Sequence, residues 1–406
     1  MAGAGDTAAR NMGEIAPNGP VTVCFPFVGD LVGGSHISAC GLIRMLDRER
    51  FTPLVLVQHK DGAVARLFEA ASIAVEQAPP SATLTHGRSV GATTAVRLIA
   101  NTYPLSRYLR ARNVAIVHCN DGRTHATWGL AARLAGAKLL WHHRGSPDAI
   151  GLRLVAPLVA DRVVAVSQFS SPRPGYYSAA NRTQVIHSPF DTVQVYDRQA
   201  ARRSLEELLG VSSSTRFIAY SGALIDRKRP LLFVETIAAL RRKAPHIDVR
   251  GLIFGESLDG MEARVAAHAG ALGVTDIVHQ MGFRTPGAYW LAACDMLMVP
   301  AIDEPFGRTL IEAMLVGTPV VATASGGNVE AIRDGETGLL VPPENADALA
   351  QASLRLLSEL TTWSSIAEAA KRDALARFGE ARHAADVMAV YNDMLPNIDL
   401  RQVRSG

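Results

Sequence analysis

From Val21 onward the chain alternates short apolar runs with longer amphipathic segments, and glycine-rich or polar turns separate them. The runs at 21–25, 51–58, 72–76, 114–117, 138–141, 162–166 and 185–186 are short, and several are rich in valine and isoleucine, as in strands buried on both faces. The segments between them, at 36–46, 64–71, 124–134 and 152–160, space their apolar residues as one helical face. In the segment 86–112, Tyr103-Pro104 predicts a break between two helices. The same alternation starts again at Phe217, with strands at 217–221, 247–254, 277–278, 295–299, 320–322 and 338–341. Helices are expected at 230–241, 261–269, 289–293, 328–332, 345–360 and 362–377. The pattern predicts an α/β protein with two open, parallel, Rossmann-like sheets.

The division follows from these two series. Residues 1–20 are small and polar and read as a disordered tail, and 21–191 form a first Rossmann-like domain. Residues 192–215 form a polar linker with a short helix near 204–209, and 216–382 make a second domain. A last helix near 383–395 is expected to pack back on the first domain.

The length of 406 residues accommodates two cores. A 48% hydrophobic and 19% charged composition is that of a globular chain. Cys24, Cys40, Cys119 and Cys294 are too scattered for a disulfide framework or a zinc site, so a reducing cytoplasm is expected. No apolar leader opens the chain, and no run is long and uncharged enough to cross a membrane. Charge is uneven: residues 1–191 carry 19 Lys and Arg against 12 Asp and Glu, and the rest carries 22 against 26. The basic half, with Arg97, Arg107, Arg110 and Arg112 among apolar residues, suits either a solvated helix face or peripheral contact with an anionic membrane at its inner face.

Candidate chemistry gathers at the ends of the apolar runs. After the first run, a loop carries Gly33-Gly34 but no dinucleotide fingerprint. His143 follows the run at 138–141 and reads as a ligand contact or a capping histidine. Arg227, Lys228 and Arg229 lie between a strand end and a helix start, where cations can grip phosphate. The densest stretch is Pro300–Gly327. Glu304-Pro305-Phe306-Gly307 leads into a helix with apolar residues at 310, 311, 314 and 315, and Glu312 lies eight residues after Glu304. Both carboxylates can face a ligand held over that helix N-terminus, whose free N–H groups suit phosphate. An ordinary acidic first turn is the alternative.

In order along the chain, these pieces resemble the family 4 glycosyltransferases, retaining enzymes of GT-B architecture, with two Rossmann-like domains facing across a cleft. Glu304 and Glu312 are similar to the family's Glu-x7-Glu pair, Gly33-Gly34 to its glycine loop, and Asp161–Ser167 to its Asp-x-Val-x-x-x-Ser segment. Gly326-Gly327-Asn328 with Glu330, then Asp334 to Pro342, resemble its C-terminal signature. The resemblance implies a catalytic set of Glu304 and His143 at the transferred sugar and Lys228 at the diphosphate. It implies donor contacts from Gly33, Gly34, Arg227, Phe306, Gly307 and Glu312, the last at the ribose. It also implies a UDP- or GDP-linked sugar as donor and a glycan, lipid-linked or small-molecule hydroxyl as acceptor. No cofactor, metal or nucleic acid is expected. A non-catalytic subunit, a sugar-nucleotide epimerase and a glycan phosphorylase of the same architecture are the alternatives. Two positions depart from the family pattern. Ala223 stands where an arginine usually follows the phosphate-loop glycine, and Ser188-Pro189 stand where Asn-Gly often precedes the aspartate.

Overall fold

The computed structural model describes residues 19–81, 92–257 and 259–395. The expected tail, apart from Gly19 and Pro20, and residues 86–91 of the basic segment lie outside them.

In the first half the elements run β1 (Val21–Phe27), α1 (Gly34–Arg44), β2 (Phe51–Val57), α2 (Ala63–Ala70), β3 (Val75–Gln77) and α3 (Ala92–Ala111). They continue through β4 (Ile116–Cys119), α4 (Gly122–Ala135), β5 (Lys138–His143), α5 (Ala156–Val159), β6 (Arg162–Ala165) and β7 (Thr183–Val185). The strands form one parallel sheet in the order β3-β2-β1-β4-β5-β6-β7. The second half has α6 (Arg198–Leu209), β8 (Arg216–Ser221), α7 (Pro230–Lys243), β9 (Val249–Phe254), α8 (Met261–Ala271) and β10 (Val278–Gly282). It goes on through α9 (Gly287–Ala293), β11 (Met296–Val299), α10 (Arg308–Leu315), β12 (Val320–Thr323), α11 (Asn328–Ala331) and β13 (Leu339–Val341). The last helices are α12 (Ala346–Ser358), α13 (Leu360–Arg377) and α14 (Glu380–Met394). The second sheet is also parallel, in the order β10-β9-β8-β11-β12-β13. This is the two-sheet GT-B arrangement expected from the chain.

Both sheets reverse winding direction beside their first strand, between β1 and β4 and between β8 and β11. Loops diverge there beyond the carboxyl ends of the strands, leaving a crevice for a ligand. The crevice loops are 28–33 and 120–121 in one sheet, and 222–229 and 300–307 in the other.

Three local expectations change. Pro104 sits inside one continuous helix, α3, instead of dividing two. Leu105 and Leu109 after it are fully buried, so tertiary packing holds the helix through the proline. His142 and His143 end β5 itself, paired with Val164 and Ala165, and do not follow the strand. Of the stretch read as linker, Arg198–Leu209 is a full helix, capped by Asp197 and buried through Ala201 and Leu205. Arg202 of α6 bonds Asp295, just before β11, at 2.7 Å.

The chain crosses between the sheets twice. The first crossing runs through 186–197, and the second joins α13 to α14. Helix α14 buries Ala384, Val387, Val390, Tyr391 and Met394 against Val23, Phe25 and Phe51 of the first sheet. Its Tyr391 hydroxyl meets His118, which bonds His142 at 3.0 Å, and His383 stacks on His142. Burial holds His118 and His142 well below the usual imidazole range, with Arg144 reinforcing it. Burial, helped by Arg144, takes His383 down to about 3.

Candidate active site

Glu304 lies on the loop between β11 and α10 and is 9% exposed. The Gly326-Gly327 turn fixes its backbone, since the Gly327 N–H donates to the Glu304 carbonyl at 2.7 Å. A Cβ on Gly326 would sit 2.5 Å from that same oxygen, and Gly326 has φ of +58°, so the turn needs glycine twice over. From the other side, Ser167 Oγ donates to the Pro305 carbonyl at 2.5 Å. The Gln168 and Phe169 N–H groups donate to Glu330 at 2.7 and 2.9 Å, which ties the first domain to α11. His187 stacks on Phe306 with ring centres 4.9 Å apart. The Glu-Pro-Phe-Gly segment is thus held at the contact of the two domains.

The Glu304 carboxylate faces two cations. Arg227 donates to Oε2 at 2.6 Å, and Lys228 Nζ stands 3.8 Å from the same oxygen. Burial alone would raise its pKa. Lys228 and Arg227, with help from the Gly307 N–H, outweigh burial and hold it below the usual carboxylate range. Lys228 lies over the backbone of Gly222, where a Cβ would come within 2.6 Å of Nζ. Together with Tyr220, Gly307 and Thr309 these residues line a cavity of about 10 Å³, room for little more than one water. Arg227, read from the sequence as a donor contact, has its guanidinium on the Glu304 carboxylate.

Glu312 sits on α10, with 30% of its side chain exposed. Burial raises its pKa, and Arg308 and Lys228 draw it only partly back. Lys228 stands 3.8 Å from Glu304, and its charge also lowers the pKa of Glu312 somewhat against burial. The N-terminus of α10 begins at Arg308, after a left-handed Gly307.

In the first domain the sequence-predicted residues lie at the end of β5 and the start of α1. His143 is 6% exposed and donates Nε2–H to the Ser146 carbonyl at 2.9 Å, bracing the 144–147 turn. Gly33 has open space where a side chain would be. A Cβ on Gly34 would meet the Arg308 Cδ at 2.7 Å, so this glycine makes room for an arginine of the other domain. Sequence reading overlooked Arg308, and it overlooked a group of polar side chains under the glycine loop. His36 Nε2, Asn120 Oδ1, Asp121 Oδ2 and Arg144 Nε are buried without hydrogen-bond partners in the protein. Burial takes Arg144 down to about 9, with Arg308 adding to the shift and Asp121 opposing it. The His-Arg and Asn-Asp pairs after apolar runs were the available signal.

Among the described residues no three His, Cys, Asp or Glu side chains cluster as a metal site. No described helix is long and apolar enough to cross a membrane.

Comparison with known proteins matches residues 215–359, the half that carries Lys228, Glu304 and Glu312, to the family described as glycosyl transferases group 1. That segment is similar to the family 4 glycosyltransferases. Among its relatives, a D-inositol 3-phosphate glycosyltransferase of Salinispora arenicola is 30% identical over 279 residues, covering 64% of this chain and 61% of that protein. A D-inositol 3-phosphate glycosyltransferase of Paenarthrobacter aurescens is 31% identical over 199 residues, covering 48% of each. The chain thus spans about half to three-fifths of the length of the curated relatives it matches. Among solved structures, Anabaena HepE in complex with UDP-glucose superposes with a TM-score of 0.75, at 22% identity over 92% of this chain and 99% of that one. A glycosyltransferase from Rickettsia africae gives 0.75 at 21% identity, over 93% and 99%. These two likenesses show the family's two-domain fold. The family match covers α10 with Glu312 and the preceding loop with Glu304.

Proposed function

We propose that this chain is a retaining family 4 glycosyltransferase that moves a sugar from a nucleotide donor to an acceptor hydroxyl. The observation that carries the reading is the placement of Glu304, Lys228 and Glu312 around the N-terminus of α10, at the switch point of the second sheet. Lys228 and the free N–H groups of α10 take the diphosphate, whose charge grows as it leaves. Glu312 accepts from the ribose hydroxyls, and Glu304 from a hydroxyl of the transferred sugar. The Phe306-Gly307 backbone and the Gly33-Gly34 loop border the same space. His143 acts by holding its turn. The acceptor oxygen bonds to the anomeric carbon on the face from which the diphosphate departs, and its proton passes to the leaving phosphate oxygen. Glu304, paired with Arg227 at 2.6 Å, is assigned as a sugar contact and not as a nucleophile, following the family resemblance. We assign residues 21–191 to the acceptor and 216–382 to the donor.

UDP donors come first for testing, because HepE binds UDP-glucose. The buried atoms His36 Nε2, Asn120 Oδ1, Asp121 Oδ2 and Arg144 Nε, which lack protein partners, favour a polyhydroxylated acceptor, and the Arg144 guanidinium favours one that also carries negative charge, in keeping with the inositol phosphate named for the relatives. A peripheral membrane contact is supported by exposed Val96, Ile99 and Tyr103 beside exposed Arg97 and Arg107 on α3, whereas Arg112 is neutralised by Glu76. A second reading, a nucleotide-binding subunit without turnover, draws on Ala223 and on the pairing of Arg227 with Glu304. A panel of UDP- and GDP-sugars, assayed for hydrolysis and for transfer to inositol phosphates and glycans, tests the proposal. Release of nucleoside diphosphate with one donor is expected. Tight UDP binding with no turnover of any donor would favour the second reading.

A further inference from the structure

Arg308 is the first residue of α10, yet most of its contacts lie across the domain boundary. Its Nη1 donates to Ser38 Oγ of α1 at 2.9 Å and to the Pro189 carbonyl at 3.1 Å. Its guanidinium carbon lies 4.3 Å over the Phe190 ring, where the chain first crosses between the domains. The other nitrogen, Nη2, stands 3.7 Å from Glu312 Oε1. The aliphatic stem crosses Gly34, and a Cβ there would leave it no room. One planar fork therefore meets a helix of the first domain, the crossing chain and the carboxylate assigned to the donor ribose. Lysine has no such fork, and a single ammonium cannot hold all three directions.

We propose that Arg308 is a positioning residue that couples closure of the two domains to donor binding. The bond to Ser38 exists only while α1 lies against α10, and the bond to Pro189 ties the guanidinium to the crossing chain. In that state Nη2 stands beside Glu312. When the domains part, the guanidinium loses Ser38 and is free to leave Glu312 unoriented. A donor that uses the oriented carboxylate favours the closed state by as much as its affinities for the two states differ. Gly34 belongs to the same device, since only glycine lets the stem through. The ribose role of Glu312 is part of the function proposed above, but the closing contacts themselves do not depend on it.

The test uses the full chain with Arg308→Lys, Ser38→Ala and Glu312→Ala. Small-angle scattering is recorded with and without UDP, and UDP and 2′,3′-dideoxy-UDP are titrated by calorimetry. Ser38→Ala touches neither Glu312 nor the donor. It is expected to enlarge the radius of gyration without UDP and to weaken UDP by about threefold to tenfold, the net worth of one ordinary hydrogen bond. Arg308→Lys should do both more strongly, and saturating UDP should restore a compact particle in each. Unchanged scattering and unchanged UDP affinity in Ser38→Ala would overturn the coupling, even if Arg308→Lys weakened UDP. If Arg308→Lys failed to fold, Ser38→Ala would still decide. Glu312→Ala separates the underlying reading: if it lost no preference for UDP over the dideoxy analogue, the ribose role would fall, and the scattering of the other two variants would still judge the closure.

Discussion

Lys228→Ala isolates the diphosphate charge. Lys228 Nζ stands 3.8 Å from Glu304 Oε2, and 20% of the side chain is exposed. A phosphate oxygen about 4 Å from that ammonium interacts with it by about 4 kcal/mol at the effective dielectric of a protein surface. Partial exposure and salt reduce this to about 2–3 kcal/mol, a loss of about 30- to 150-fold in UDP affinity. The fold should tolerate the change. Glu304 keeps its 2.6 Å bond from Arg227, so no buried carboxylate is stranded, and the stability cost should stay under about 1 kcal/mol. Calorimetry with UDP and with uridine, at two salt concentrations, checks the reasoning, and a thermal melt checks the fold. UDP should weaken while uridine is unaffected, and the difference should shrink as salt rises. Equal losses for UDP and uridine would mean that Lys228 shapes the pocket and does not grip phosphate. No loss for either would remove it from the donor site.

Two further outcomes are expected. Arg227→Ala should leave UDP affinity within about threefold of wild type but slow transfer at saturating donor, because the guanidinium rests on Glu304 and not on a phosphate site; a UDP loss as large as that of Lys228→Ala would show that Arg227 substitutes for the arginine missing at Ala223. Acid should destabilise the first domain early. His118, His142 and His383 are held neutral below their ordinary pKa, so their contribution is fully present above about pH 6.5 and is lost as pH falls toward their folded-state values. Three protons taken up on unfolding give a slope of about 4 kcal/mol per pH unit once pH is well below 6.5, measurable by urea titration between pH 7 and pH 5. A flat stability across that range would mean that the histidine cluster can protonate in place.

The contrast between what was readable in the chain and what was not follows the range of each interaction. Apolar runs of strand length alternating with helical periodicity are local, and they carried both parallel sheets and nearly every helix. The exceptions lie where distant packing overrides the local preference. Pro104 stays inside α3 because Leu105 and Leu109 are buried, and the polar stretch around Arg202 is helical because Asp295 lies across from it. Of the site, the Glu304–Glu312 spacing and the loop position of Lys228 were visible because each falls next to a strand end or helix start. Arg308 was hidden because nothing within a few residues of it marks its function; its partners are Ser38 and Pro189, 270 and 119 residues away. The same holds for Gly34, read as a ligand-loop glycine, whose missing Cβ also leaves room for that arginine's stem. By itself the sequence determined the two-sheet architecture and the spacing of the acidic pair, since these rest on periodicity, caps and position along the chain. Only the tertiary structure decided that Arg227 neutralises Glu304, that His143 braces its own turn, and that one guanidinium joins the two domains beside Glu312, because ion pairing and desolvation depend on which charges folding brings within about 4 Å of one another.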